Sequence, residues 1–156
     1  MNKKRFFRIL LYVAFAAYFI MMLWLLYGQR LILPTKWAYK EEFWRNINLI
    51  PFRTIMESVE VLRSGENTYL IRHNIINLIG NVGVFIPLGY FLPKLFPKLK
   101  SFKKTLLVIV ATVLIIELVQ WITLLGSLDI DDVILNIPGA LAGWLIYRKS
   151  NSTSEE

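Results

Sequence analysis

The sequence predicts an all-α fold, a four-helix transmembrane bundle with an amphipathic helix at its outer interface, and three observations carry that prediction. Apolar residues make up 56% of the 156-residue chain, above the ~45–50% usual in soluble domains. They fall in four long blocks and not in amphipathic stripes. Basic residues gather at the ends of those blocks. A single domain, 1–156, holds helices at about 9–27, 75–92, 105–125 and 130–147, with an outer loop at 28–72.

In the first block every residue from Ile9 to Leu26 is apolar, close to the ~20 residues that cross ~30 Å of hydrocarbon as a helix. It exceeds a secretory h-region and no small-residue cleavage site follows, so it reads as a retained span. The second block is interrupted by Asn77, Asn81 and Pro87, and the third by Glu117 and Gln120. The fourth carries Asp131, Asp132, Asn136 and Pro138. Pro87 and Pro138 lack a backbone donor and so release the carbonyls of Gly83 and Ile134. Gly139 and Gly143 form a small-xxx-small pair suited to close helix approach.

Lys3, Lys4, Arg5 and Arg8 precede the first helix; Lys94, Lys98, Lys100, Lys103 and Lys104 fill the connection between the second and third; Arg148 and Lys149 follow the fourth. Four spans place all three clusters on one side, which the positive-inside rule makes cytoplasmic, with both termini there. The net charge of +7 is thereby explained by topology and lipid contact, not by a nucleic-acid partner. The chain has no cysteine and one histidine, which excludes disulfides and thiolate metal sites; no cofactor or metal is expected.

The outer loop holds seven basic and five acidic residues. Trp37, Tyr39, Phe43 and Trp44 have the character of interfacial anchors. Thr54 and Glu57 have the spacing of a capping box that opens a helix at 54–62, with Ile55, Val59 and Leu62 on one face and Gly65 as its stop. Two placements stay open for this helix: flat on the membrane surface, or packed on the outer ends of the bundle.

Ionisable groups within spans face protein or a water-filled cavity. Asn74, Asn77 and Asn81 share one face of the second helix, Glu117 and Gln120 one face of the third, and Asp129, Asp132 and Asn136 one face of the fourth. Counting from the outer helix ends, Asn81, Glu117 and Asn136 are all predicted ~10–12 Å below the outer surface at ~1.5 Å per residue. An outward-opening polar pocket satisfies that arrangement; so does an interhelical hydrogen-bond clamp. A weak likeness between Asn77-Leu-Ile-Gly80 and Asn136-Ile-Pro-Gly139 suggests a parallel repeat that would set Arg72 against Asp132 at the mouth.

Four segments together resemble the VanZ-like family: Asn48-Leu-Ile-Pro-Phe-Arg-Thr-Ile55; Asn77-x-x-Gly80-Asn81-x-x-x-Phe85-x-Pro87-Leu-Gly89; Glu117-Leu-x-Gln120; and Asp129-Ile-Asp-Asp132-x-x-x-Asn136-x-x-Gly139. The resemblance covers residues 48–143. It implies a multi-pass protein of the bacterial cell membrane, whose namesake is associated with low-level resistance to the glycopeptide teicoplanin without altered peptidoglycan precursors. Many members carry an arginine shortly before the acidic segment, where this chain has Gly126-Ser127-Leu128. A basic partner for the acids is then left to Arg53, Arg72 or His73.

The expected function is a non-enzymatic envelope protein contributing to teicoplanin-type resistance. It would bind a lipid-linked wall precursor or a lipoglycopeptide through Asn48, Arg53, Asn77, Asn81, Glu117, Gln120, Asp129, Asp132 and Asn136, with Arg53 and Arg72 suited to a phosphate. The alternative is an intramembrane enzyme acting on a lipid phosphate, with Glu117 as general base and Asp129, Asp131 and Asp132 acting on a metal or the leaving group. An ion path is disfavoured because residues 106–113 and 141–146 are almost purely apolar. Membrane lipids are the expected partners, and the sequence does not set an oligomeric state.

Overall fold

The computed structural model describes residues 2–27, 43–65 and 67–152. In chain order they form α1 (Lys3–Tyr27), β1 (Ile47–Asn48), α2 (Arg53–Ser64), α3 (Thr68–Leu95), α4 (Phe102–Thr123), β2 (Leu128–Asp129) and α5 (Ile130–Ser152). A 3-10 turn, Pro97–Leu99, joins α3 to α4. Helices α1, α3, α4 and α5 are long and apolar enough to cross a membrane, so the predicted all-α bundle is what the chain forms. Trp37 and Tyr39 lie outside the described residues. Phe43 stacks on Trp121 at 4.3 Å between ring centroids, while Trp44 is exposed.

The second span is longer than its apolar block. It begins at Thr68 instead of residue 75, because Asn67 caps it, its side chain accepting from the N–H groups of Tyr69 and Leu70. Its 28 residues extend ~42 Å at ~1.5 Å each, beyond the ~30 Å of the hydrocarbon, so its first turns stand outside. Helix α2 packs on that extension, with Ser58 buried and donating to Asn74 Oδ1 at 2.7 Å. Of the two placements for the outer helix, this is the packed one.

Helices α3 and α5 run parallel, side by side, from the Asn81–Asp132 hydrogen bond at one end to Lys94–Asn151 at the other. Glycines let their backbones touch. A Cβ on Gly139 would lie 1.9 Å from the Val82 carbonyl oxygen, and one on Gly143 at 1.9 Å from that of Ile86. The small-xxx-small pair is thus the seam of the bundle. Both helices continue through their prolines.

The core gathers Tyr18 and Met22 of α1, Phe85, Leu88 and Leu92 of α3, Ile109, Val113 and Ile116 of α4 and Ala140 of α5. Most of α1 otherwise faces outward, with Ile20 and Trp24 among its exposed residues, as suits a lipid-facing helix. Tyr18 ties it to α3 by donating to the Val84 carbonyl at 2.7 Å, beside the Gly83 carbonyl that Pro87 leaves without its helical donor.

After α4 the chain turns back on itself. Leu124 takes a left-handed conformation (φ 54°), and the Gly126 N–H donates to the Gln120 carbonyl at 3.2 Å. The reversal brings β2 back alongside α4, where it pairs in parallel with β1, Ile47 opposite Leu128 and Asn48 opposite Asp129.

Candidate functional site

Two stretches of non-helical backbone therefore meet at the Asn81–Asp132 end of the bundle, and their polar groups need partners. The acids supply them. Asp129 precedes α5 and accepts the Asp131 N–H at 2.9 Å, an N-cap bond. Its carboxylate also accepts from Asn48 Nδ2 at 3.1 Å and Thr54 Oγ1 at 2.6 Å, and Asn48 Nδ2 reaches Thr54 Oγ1 at 2.9 Å. Asp131, fully buried, accepts from the N–H groups of Phe52 and Ile55, the latter at 3.1 Å. It is the cap of α2, supplied from another helix. Glu117, 2% exposed, accepts the Asp129 N–H at 3.1 Å, and Asp132 accepts from Asn81 Nδ2.

Every donor named is a backbone amide, a side-chain amide or a hydroxyl. Asp131 lies at the positive N-terminal end of α2, and Asp129, Asp131 and Asp132 at that of α5. The predicted capping box is corrected accordingly. Phe52, with φ 66°, is the N-cap residue of α2 and has no side-chain cap; Thr54 turns to Asp129, and Glu57 pairs with Arg53 at 3.0 Å on the exposed face.

The predicted common level for Asn81, Glu117 and Asn136 is corrected too. Asn81 and Glu117 do belong to one layer, but its α5 members are Asp129 and Asp132. Because the chain doubles back after α4, Asp129, from which the depth of Asn136 was counted, lies level with Glu117 and not with the end of α4. Asn136 lies one turn beneath Asp132, buried, with its Oδ1 unpartnered. The suggested pairing of Arg72 with Asp132 does not form: Asn81 takes that carboxylate, and Arg72 is exposed.

Of the other residues singled out, Gln120 is buried and donates to the Leu26 carbonyl at 3.3 Å, closing the end of α1. Asn77 is half-buried on α3. Arg53 and His73 are exposed. Thr54, Ser58 and the Phe52 and Ile55 amides were not foreseen as partners; the only signal was the polar motif 48–55 itself. Among the described residues no group of three or more His, Asp or Glu side chains could hold a metal ion.

The family model described as VanZ/LLP1 matches residues 7–151. Protein VanZ of Enterococcus faecium is 37% identical over 78 residues, 50% of this chain and 48% of that protein. The chain thus spans about half the length of that curated relative. No solved structure matches the chain.

Proposed function

Because the chain belongs to the VanZ/LLP1 family, we propose that it is a multi-pass protein of the bacterial cell membrane that contributes to glycopeptide resistance of the teicoplanin type by binding a lipid-linked or lipidated molecule at its outer polar layer. The distribution of basic residues supports an orientation with both termini in the cytoplasm and this layer in the outer leaflet.

The observation that carries the binding reading is Asn136. Its amide oxygen is buried and unpartnered, below a layer whose carboxylates are all bonded. A buried acceptor without a donor is costly, and a hydroxyl or amide of a ligand would relieve it. The cover above, residues 47–55, is held by a two-residue bridge and by side-chain bonds from Asp129 and Asp131, contacts that can open without disturbing the glycine seam. Arg53 and Arg72 are exposed on α2 and α3, where they could meet a phosphate. The ligand class is a polyprenyl-linked wall precursor or the acyl tail of a lipoglycopeptide.

The enzymatic reading has less support. Glu117, Asp129, Asp131 and Asp132 each direct oxygen to an amide or hydroxyl, and they do not converge on one point.

The test is teicoplanin susceptibility of a deletion strain complemented with wild type, Asn136→Ala or Glu117→Gln, alongside lipid analysis of each purified protein. The expected outcome is sensitisation by both variants with loss of a co-purifying lipid class from Asn136→Ala. Wild-type susceptibility and an unchanged lipid complement in both variants would overturn the reading.

A further inference from the structure

At the opposite end of the bundle from the acid layer lies a cavity of about 430 Å³ between the start of α1 and the end of α3. Its lining is amphipathic: Leu95, Phe96 and Leu99 form apolar wall, Tyr12 contributes ring and hydroxyl, and Arg8 and Lys98 bring positive charge. We propose that this cavity binds one anionic glycerophospholipid, its phosphate between Arg8 and Lys98 and an acyl chain against Tyr12, Phe96 and Leu99.

Three features support a built site over diffuse attraction. Arg8 and Tyr12 are one helical turn apart, hence on the same face of α1. The wall is held in place: Leu95 is buried, Tyr12 Oη donates to the Leu95 carbonyl at 3.5 Å, and the ring of Phe96 meets that of Phe15 edge-on at 6.4 Å. The charge is of one sign, since residues 94–104 contain five lysines and no acid. A long cationic side chain lying along apolar wall with its head at the interface is the geometry of snorkelling, and basic pockets between helices of this kind take anionic headgroups. The occupant must be both anionic and acylated, which a free phosphate is not. The inference is independent of the outer layer and of any role in resistance.

The test reconstitutes the full chain in equimolar phosphatidylcholine and phosphatidylglycerol, re-extracts it gently and measures retained lipid by mass spectrometry. Wild type is expected to keep phosphatidylglycerol in preference to phosphatidylcholine. The double variant Arg8→Gln with Lys98→Gln should lose about thirtyfold of that preference, the scale of two interfacial charges. Lys103→Gln with Lys104→Gln, which removes the same charge at exposed positions away from the cavity, should retain it. Equal loss in both double variants, or no loss in the first, would overturn the proposal. Lys98→Gln alone, in an exposed turn, gives the same reading with a loss of about fivefold if the double variant fails to accumulate.

Discussion

The α3–α5 seam and the acid layer beside it both hold α5 to its neighbours, but by different physics. In the seam, Gly139 and Gly143 bring backbone against the carbonyls of Val82 and Ile86, so cohesion comes from shape and dispersion at short range. In the layer, Asp129, Asp131 and Asp132 reach Asn48, Thr54, the N-terminus of α2 and Asn81, so cohesion comes from hydrogen bonds that satisfy otherwise orphaned donors. The seam has no room and fails all at once. The layer is a set of separable bonds, and it holds what can come away: β1 and α2.

Five substitutions test that contrast, in falling order of effect. Gly139→Leu places a side chain where a Cβ alone would sit 1.9 Å from Val82 O; the helices must part, and the loss should exceed about 3 kcal/mol. Size-exclusion profile and denaturation in detergent would show the folded protein vanish; a stable, monodisperse variant would mean the seam is looser than drawn.

Asp131→Ala leaves the Phe52 and Ile55 amides without their acceptor, at roughly 2–4 kcal/mol. The expected signature is local: faster amide exchange over residues 53–58 with the seam still protected. Uniformly faster exchange across α3 and α5 would erase the distinction between the two regions.

Thr54→Val removes one of the bonds to Asp129 and should cost about 1 kcal/mol. Because Asn48 shares that carboxylate and also bonds Thr54, Asn48→Ala with Thr54→Val should be non-additive by ~0.5 kcal/mol or more in a double-mutant cycle. Strict additivity would show that the layer is not one network. The smallest effect belongs to Arg53→Gln. Its ion pair with Glu57 is exposed, so stability should change by less than ~0.5 kcal/mol, and any larger drop in thermal stability would give Arg53 a structural role.

The four spans were legible in the sequence because an apolar run of spanning length is a local property, and so was the small-residue pair at 139 and 143. The polar residues of the site were legible as a set: an acid or amide inside such a run must meet protein or water. Their pairing was not. Asp131 and Ile55 are separated by 76 residues along the chain, and no local pattern shows that a carboxylate of α5 closes the N-terminus of α2. The apparent capping box of Thr54 and Glu57 misled because their spacing is shared by a helix whose cap comes from elsewhere.

The sequence by itself determined that four apolar runs are long enough to cross a membrane, at which of their ends the basic residues gather, and that carboxylates and amides would interrupt three of them. The tertiary structure alone decided which of these polar groups meet. The reversal at Leu124 and Gly126 lowers the start of α5 by an amount that no count along the helix can show. That shift puts Asp129 and Asp132 in the layer, leaves Asn136 beneath it without a partner, and turns the acids toward backbone amides that had to be satisfied where water is scarce.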